Sequence, residues 1–365
     1  MKEKKIDKFF LIILFLLVIV GVAMFISASL GLLVKNPDIF YSVLIKQLVF
    51  GLGLGLVGMY ILLKINYKFW RKYSFFIFLF SILLTASVFI PNFGWSHGGA
   101  QRWIQVGPIS FQPVEFLKFG FIIYFAGWLS WVKNRVQDFK FGILPFIAML
   151  AVIALILFKQ PDTKSFILIV VTGVSMLFIS GVPLRYIFGV GFLLALLFGT
   201  LIYFTPYLQE RVKTFINPSE DSQGSSYQIQ QSLIALGSGG VFGRGFGQSI
   251  QKFSYLPEPQ GDSIFAVLGE ELGFVGAVGT IFLYLLFALR GFRIANNSPD
   301  LFSRLLVSGI VIIITVQSFM HIASITGVFP LTGVPLPFMS LGGTSFMIYL
   351  AAMGIVLNMS KFQQK

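Results

Sequence analysis

The chain has no cysteine, which excludes disulfides, thiol nucleophiles and cysteine-held metals. Histidine is nearly as scarce: only His97 and His321 occur, too few for a histidine-rich metal centre. Charge is also sparse. Asp, Glu, Lys and Arg make up 11% of the 365 residues, against 56% hydrophobic ones and a mean hydropathy of +0.86. A soluble domain of this size needs a polar surface that such a composition does not supply. Acids are the scarcer charges, 14 against 27 Lys and Arg, for a net charge of +13. No basic face with interleaved aromatics accompanies that excess, so nucleic acid is excluded as the partner. The positive residues instead flank apolar segments, where they meet anionic lipid.

What the chain does have is apolar runs of about 18 to 25 residues, recurring from one end to the other, each long enough to cross a hydrocarbon core. In lipid the backbone must satisfy its own hydrogen bonds, so these runs are helices. They fall at 9–30, 42–63, 74–91, 111–131, 141–159, 165–181, 185–204, 264–289, 304–325 and 341–359. The predicted fold is an all-α polytopic membrane protein of about ten transmembrane helices, a single domain over residues 1–365. The basic stretch before Phe9 resembles a signal peptide. However, the run from Phe9 to Ala28 is long and lacks a small-residue cleavage site, and it reads as an uncleaved first helix.

Lys and Arg concentrate at Lys64–Lys72, Lys133–Lys140, Arg185, Arg290–Arg304 and Lys361, which places both termini in the cytoplasm. The acids run the other way. Glu115, Asp162, Glu210, Glu220, Asp221, Glu258, Asp262, Glu270 and Glu271 all fall on the outer side, and an outward-facing site is the simplest reason. Residues 205–263, between the seventh and eighth helices, form a large extracytoplasmic loop, too long for a plain connection. It contains a short amphipathic helix over 227–237 and the glycine-rich stretch 237–247. The latter superficially suggests a nucleotide loop, but lacks the strand–turn–helix setting and the lysine of one.

Four constellations carry possible chemistry. In L-P-E-P-Q-G-D-S-I-F-A-V-L-G-E-E-L-G-F (256–274), Asp262 stands at the start of the eighth helix, where an ordinary N-cap is the plain alternative. Glu270 and Glu271 follow inside the apolar helix, where buried acids are costly and functional by default. In G-G-A-Q-R-W-I-Q-V-G-P-I-S-F-Q-P-V-E-F-L-K (98–118), Gln112, Glu115 and Lys118 line one side of the fourth helix. With Arg102 nearby they could cradle a diphosphate, or Glu115 and Lys118 could simply pair and anchor the helix. K-Q-P-D-T-K-S (159–165) clusters Lys159, Asp162 and Lys164, for which turn chemistry is the alternative. Finally, Pro330, Pro335, Pro337 and several glycines break the chain before the tenth helix. Such backbone at membrane depth must be buried in protein or line a cavity. His321 reads as a packed, hydrogen-bonded histidine.

Taken together, these blocks resemble the SEDS family (shape, elongation, division and sporulation), the group of FtsW, RodA and SpoVE. The likeness runs through G-G-A-Q-R-W-I, K-Q-P-D, Y-Q-I-Q-Q-S-L-I-A-L-G, D-S-I-F-A-V-L-G-E-E-L-G-F and F-P-L-T-G-V-P-L-P-F-M-S-L-G-G-T-S, in order along nearly the whole chain. It implies ten helices and a peptidoglycan glycosyltransferase of the cytoplasmic membrane that polymerises lipid II into a nascent glycan chain. It also implies a class B penicillin-binding transpeptidase and other divisome membrane proteins as partners. It makes Asp262 the catalytic residue and gives Arg102, Gln112, Glu115, Lys118 and Asp162 places in the substrate cavity, to which Glu258 and Glu270 are added here. The G-E-E-L-G form and the block around Asn217, Pro218 and Tyr227 look more like the division member than the elongation member. Two departures stand out: the family's H-T-D-F is Gln260, Gly261, Asp262, Ser263 here, and Lys164 replaces a small residue after Q-P-D.

The expected reaction is attack of a sugar hydroxyl on an anomeric carbon with loss of a polyprenyl diphosphate. Asp262 would be the base, and Arg102 and Lys118 the cations, with room for a divalent Mg or Mn ion. A lipid II flippase, an elongation-type polymerase and a non-catalytic scaffold are the alternatives.

Overall fold

The computed structural model describes residues 5–91, 93–97, 100–106, 109–217 and 225–363, so Pro218, Glu220 and Asp221 lie outside the described residues. Among them, ten helices are long and apolar enough to cross a membrane. In chain order they are α1 (Lys8–Lys35), then α2 (Pro37–Ile45) continued into α3 (Leu54–Lys64), then α4 (Tyr67–Ala86), α5 (Pro113–Val132), α6 (Phe139–Lys159), α7 (Thr163–Ser180) and α8 (Leu184–Phe204). Three short helices follow: α9 (Pro206–Ile216), α10 (Ser225–Ser238) and α11 (Gln251–Ser254). The last crossings are α12 (Ile264–Asn296), α13 (Leu301–Ile325) and α14 (Gly343–Ser360).

The all-helical expectation holds for the crossing segments and misses one feature. Between α4 and α5 the chain forms an antiparallel sheet of β1 (Gly94–His97), β2 (Ala100–Val106) and β3 (Ile109–Phe111). Trp95 pairs with Trp103 across the first ladder, and Gln105 with Ser110 across the second. Several helix bounds also shift, two of them by seven residues. The fourth element begins at Tyr67 rather than 74, because Asn66 caps Lys68 N–H and buried Tyr67 and Trp70 give its first turn a packed face. The eighth crossing runs on to Asn296 rather than 289, since Arg290 and Arg293 carry their charge to the membrane boundary on long stems. The loop expected over 205–263 contains α9 to α11, and α10 covers the predicted short helix over 227–237.

The hub is α13, packed against α5, α7, α12 and α14, with Leu305, Leu306, Ile310, Val311, Ile313 and Ile314 fully buried. By contrast α8 buries only Val190 and is peripheral. Gly55, Gly58 and Gly354 let α3 and α14 approach closely, as small residues do between membrane helices. Both chain ends lie on one face: Asp7 N–H donates to Ser360 Oγ at 3.0 Å.

The helix α12 breaks its own ladder at Gly273 (φ 67°, ψ −166°). The freed backbone groups are taken up by the glycine-rich stretch. Arg244 and Gly245 N–H donate to the carbonyls of Glu270 and Glu271 at 3.0 Å each. Phe274 and Val275 N–H donate to Gly240 and Val241. This exchange satisfies a kink that lipid would not. A Cβ at Gly273 would lie 2.2 Å from Gly243 N, and only glycine holds this φ without strain. Gly273→Ala is therefore expected to destabilise by at least about 1–3 kcal/mol, measured as a lower unfolding temperature in detergent.

Candidate functional site

The site is built around residues 326–342, which connect α13 to α14 without regular structure while Leu331, Val334, Leu336, Phe338 and Met339 are buried. Buried carbonyls in such a stretch need donors from elsewhere. Side chains supply them in sequence. Ser324 Oγ donates to Pro330 O (3.2 Å), Arg211 Nη1 to Leu331 O (2.6 Å) and Lys164 Nζ to Gly333 O. His321 Nδ1 donates to Val334 O (2.7 Å), Gln317 Nε2 to Pro335 O (2.9 Å) and Tyr284 OH to Pro337 O. Gln47, buried in the π-helical turn (Lys46–Gly53) between α2 and α3, donates to Ser340 O and accepts from Gly342 N–H, both at 3.1 Å.

That stretch in turn holds the segment before α12. Ser340 Oγ donates to Gly261 O and Leu341 N–H to Gln260 O, each at 2.7 Å. Ser263, held by Gln228 (3.0 Å) and donating to Pro257 O (2.8 Å), takes the N-cap position of α12, so Asp262 is not the cap. The partly exposed Asp262 is left facing Gly333. A Cβ on Gly333 would lie 3.0 Å from Asp262 Oδ2 and 3.6 Å from Arg211 Nη2. One carboxylate, one guanidinium and the Lys164 ammonium thus converge on a single glycine, at φ 63°, where a side chain would fill the space between them. His321 is buried beside this stretch, and its Nε2 has no hydrogen-bond partner among the described residues.

The other sequence-derived candidates occupy different places. Glu115 and Lys118 form a buried ion pair on α5 (2.7 Å). Lys118 also donates to Tyr349 OH (2.8 Å) and Gln317 Oε1 (3.3 Å), and Gln317 carries the network on to Pro335. Arg102, on β2, donates to the carbonyls of Gln160 (2.9 Å) and Pro161. The open cradle expected of Arg102 and Lys118 is therefore not what they form: a buried ammonium pairs inward and a guanidinium closes a turn. Asp162 is buried and caps α7 through Ser165 N–H (3.3 Å) and Oγ (2.8 Å), the turn-chemistry alternative. Gln112 precedes α5 and is partly exposed, and Glu258 is exposed at a positive φ of 47°.

Glu270 needs a correction as a substrate contact, and Glu271 explains why. The glycine-rich stretch and α11 wrap round to meet both. Glu270 accepts from Ser249 Oγ (2.5 Å), Ile250 N–H (3.0 Å) and Gln251 N–H (3.3 Å). Glu271 accepts from Ser27 Oγ (2.7 Å), Gly247 N–H (2.9 Å), Ser249 N–H (3.3 Å) and Lys252 Nζ (2.6 Å). Both carboxylates are fully buried and saturated, so they clamp the segment that leads to Asp262.

Arg211 was missed by sequence reasoning. It lies on the short α9, 51 positions before Asp262, with its guanidinium over the Tyr207 ring (4.4 Å), and nothing local marks it. Lys164 stood out in the K-Q-P-D-T-K-S cluster and as a departure from the family pattern, but not as a partner of Gly333. No three His, Asp or Glu side chains come together as a metal site among the described residues. With Asp262 set among cations, the donor set does not form a protein cage for a divalent ion.

The model of the family described as cell cycle proteins, covering FtsW, RodA and SpoVE, matches residues 7–365. The chain belongs to this family. It is 37% identical to stage V sporulation protein E of Bacillus subtilis over 363 residues, covering 100% of this chain and 99% of the relative. It is 38% identical to the probable peptidoglycan glycosyltransferase FtsW of Geobacter sulfurreducens over 360 residues, 98% and 96% of the two. Among solved structures it matches a chain of a peptidoglycan synthase complex described as coordinating polymerization and crosslinking, with TM-score 0.80, 29% identity and 97% of each chain covered. The rod shape determining protein RodA of Thermus thermophilus matches with TM-score 0.72 and 26% identity over 98% of each chain. The resemblance read from the five sequence blocks is thus confirmed, as is the multi-pass membrane architecture.

The buried clamp yields a test. Lys252→Met leaves Glu271 unpaired in a dry site and is expected to cost about 3–5 kcal/mol, read as a lower unfolding temperature. Adding Glu271→Gln should recover most of that loss.

Proposed function

We propose that this protein is a peptidoglycan glycosyltransferase that polymerises lipid II on the outer face of the cytoplasmic membrane, with both termini inside. The observation that carries the reading is the convergence of Asp262, Arg211 and Lys164 on Gly333. The name of the Geobacter sulfurreducens relative, probable peptidoglycan glycosyltransferase FtsW, supports the same activity. In the reaction, a sugar hydroxyl of one lipid-linked chain gives its proton to the Asp262 carboxylate. The oxygen then bonds to the anomeric carbon of the other, and the carbon–oxygen bond to the diphosphate breaks with its electron pair going to the leaving anion. A single displacement inverts the anomeric centre, as in inverting glycosidases.

The departing charge needs fixed cations rather than a general acid. Arg211 fits this role: Nη1 is fastened to Leu331 O, leaving Nη2 toward the Asp262 side, so the guanidinium is held in place before the charge develops. Lys164, fastened to Gly333 O, adds positive potential at the same point. The large segment 205–263, which contains Glu258, lies on the extracytoplasmic side in this reading, and Gln112 and Glu258 remain candidate substrate contacts. A division role fits the FtsW names. A class B penicillin-binding transpeptidase partner fits the matched complex that couples polymerization to crosslinking.

Detergent-purified protein given lipid II should form glycan chains without any second compartment, which a flippase would need. Asp262→Asn should abolish the chains while leaving the unfolding temperature unchanged. Arg211→Ala should slow polymerisation by about 10²-fold. Chain formation by Asp262→Asn at the parental rate would refute the assignment.

A further inference from the structure

One cavity lies away from the Asp262 segment. It opens on the face that carries both chain ends, between the start of α1 and the end of α12, and encloses about 970 Å³. Among the described residues, Lys5, Lys8, Arg290 and Arg293 line it, with Asp7 as the one carboxylate. Asp7 is already committed: Arg290 Nε donates to both its oxygens (3.1 and 3.0 Å), Arg290 Nη2 lies 2.9 Å from Oδ2, and Phe10 N–H donates to Oδ1 at 3.0 Å. Burial alone would push its carboxyl up, but these bonds and the Arg290 charge together hold it below the usual range, so it stays ionised and keeps Arg290 paired. The lining thus keeps an excess of three positive charges, carried by the exposed Lys5, Lys8 and Arg293.

The lining also has an apolar part. Phe9 is 51% exposed and Leu289 58% exposed, and both belong to membrane-crossing helices. The Arg290 guanidinium stacks on the Phe9 ring at 5.4 Å, so the charged and apolar parts of the lining are joined by one residue pair. A site of this volume, cationic in one part and apolar in another, is complementary to a group that is itself a phosphate attached to acyl chains. Inorganic phosphate would satisfy the cations but leave the apolar part without a partner.

We propose that this cavity binds the phosphate headgroup of an anionic phospholipid, with its acyl chains lying along Phe9 and Leu289. The site stands independently of the polymerase reading, because none of its residues reaches the Asp262 segment.

The test uses the full chain reconstituted in nanodiscs of phosphatidylcholine with a minor fraction of phosphatidylglycerol, followed by release and native mass spectrometry of retained lipid. Phosphatidylglycerol should be retained over phosphatidylcholine. The triple variant Lys5→Ala, Lys8→Ala, Arg293→Ala leaves the Asp7–Arg290 pair intact and should lower that retention at least about tenfold, a difference of about 1.4 kcal/mol. A control variant removing three exposed cations elsewhere on this face (Lys64→Ala, Lys68→Ala, Lys72→Ala) should retain the lipid like the parent. Added inorganic phosphate should not displace it. Equal retention by the triple variant and the parent would overturn the proposal, as would an equal loss in the control or displacement by inorganic phosphate.

Discussion

The site depends on one constraint: backbone without regular structure, placed among buried helices, must have its carbonyls satisfied by side chains. Residues 326–342 meet it through donors from α13, α12, α9, the start of α7 and the π-helical turn before α3. Because those donors come from five elements, the stretch cannot move without breaking bonds in all of them. Its position is then passed to Gln260 and Gly261 through Ser340 and Leu341, and so to the Asp262 carboxylate. Prolines sharpen the arrangement, since each removes an N–H that would also need a partner.

Buried charge serves the same rigidity. The Glu115–Lys118 pair is joined through Gln317 to Pro335, and the Glu270, Glu271 and Lys252 cluster fastens α1, α11 and α12 to one another. Ion pairs in low dielectric add little net stability compared with apolar packing, but leaving one partner alone is costly. Such pairs therefore select one arrangement of helices more than they strengthen it. The kink at Gly273 belongs to this scheme: it turns the carbonyls of Glu270 and Glu271 toward the glycine-rich stretch, while their side chains grip the next few residues.

Much of the fold was legible because membrane crossing imposes a run length that composition displays directly. Asp262, Glu270, Glu271 and the broken stretch before α14 were visible as polar or irregular features where lipid tolerates few. What each polar residue does was less legible. Asp162 and Lys118 are conspicuous in sequence, yet both bond inward, because a buried charge finds the nearest partner. Arg211 and Gln47 act through backbone atoms more than a hundred positions away, a relation that only the tertiary arrangement creates. The sheet over 94–111 hid between two strong helices because short strands leave little periodic signal.

The absence of native cysteine allows a direct measurement. Asp262→Cys places a unique thiol at the proposed catalytic position and, on this account, removes turnover, so bound substrate persists. Saturating lipid II should protect that thiol from a charged, membrane-impermeant reagent, while a thiol introduced by Lys68→Cys on the opposite face keeps its labelling rate. Labelling at position 262 that lipid II leaves unchanged would contradict the account.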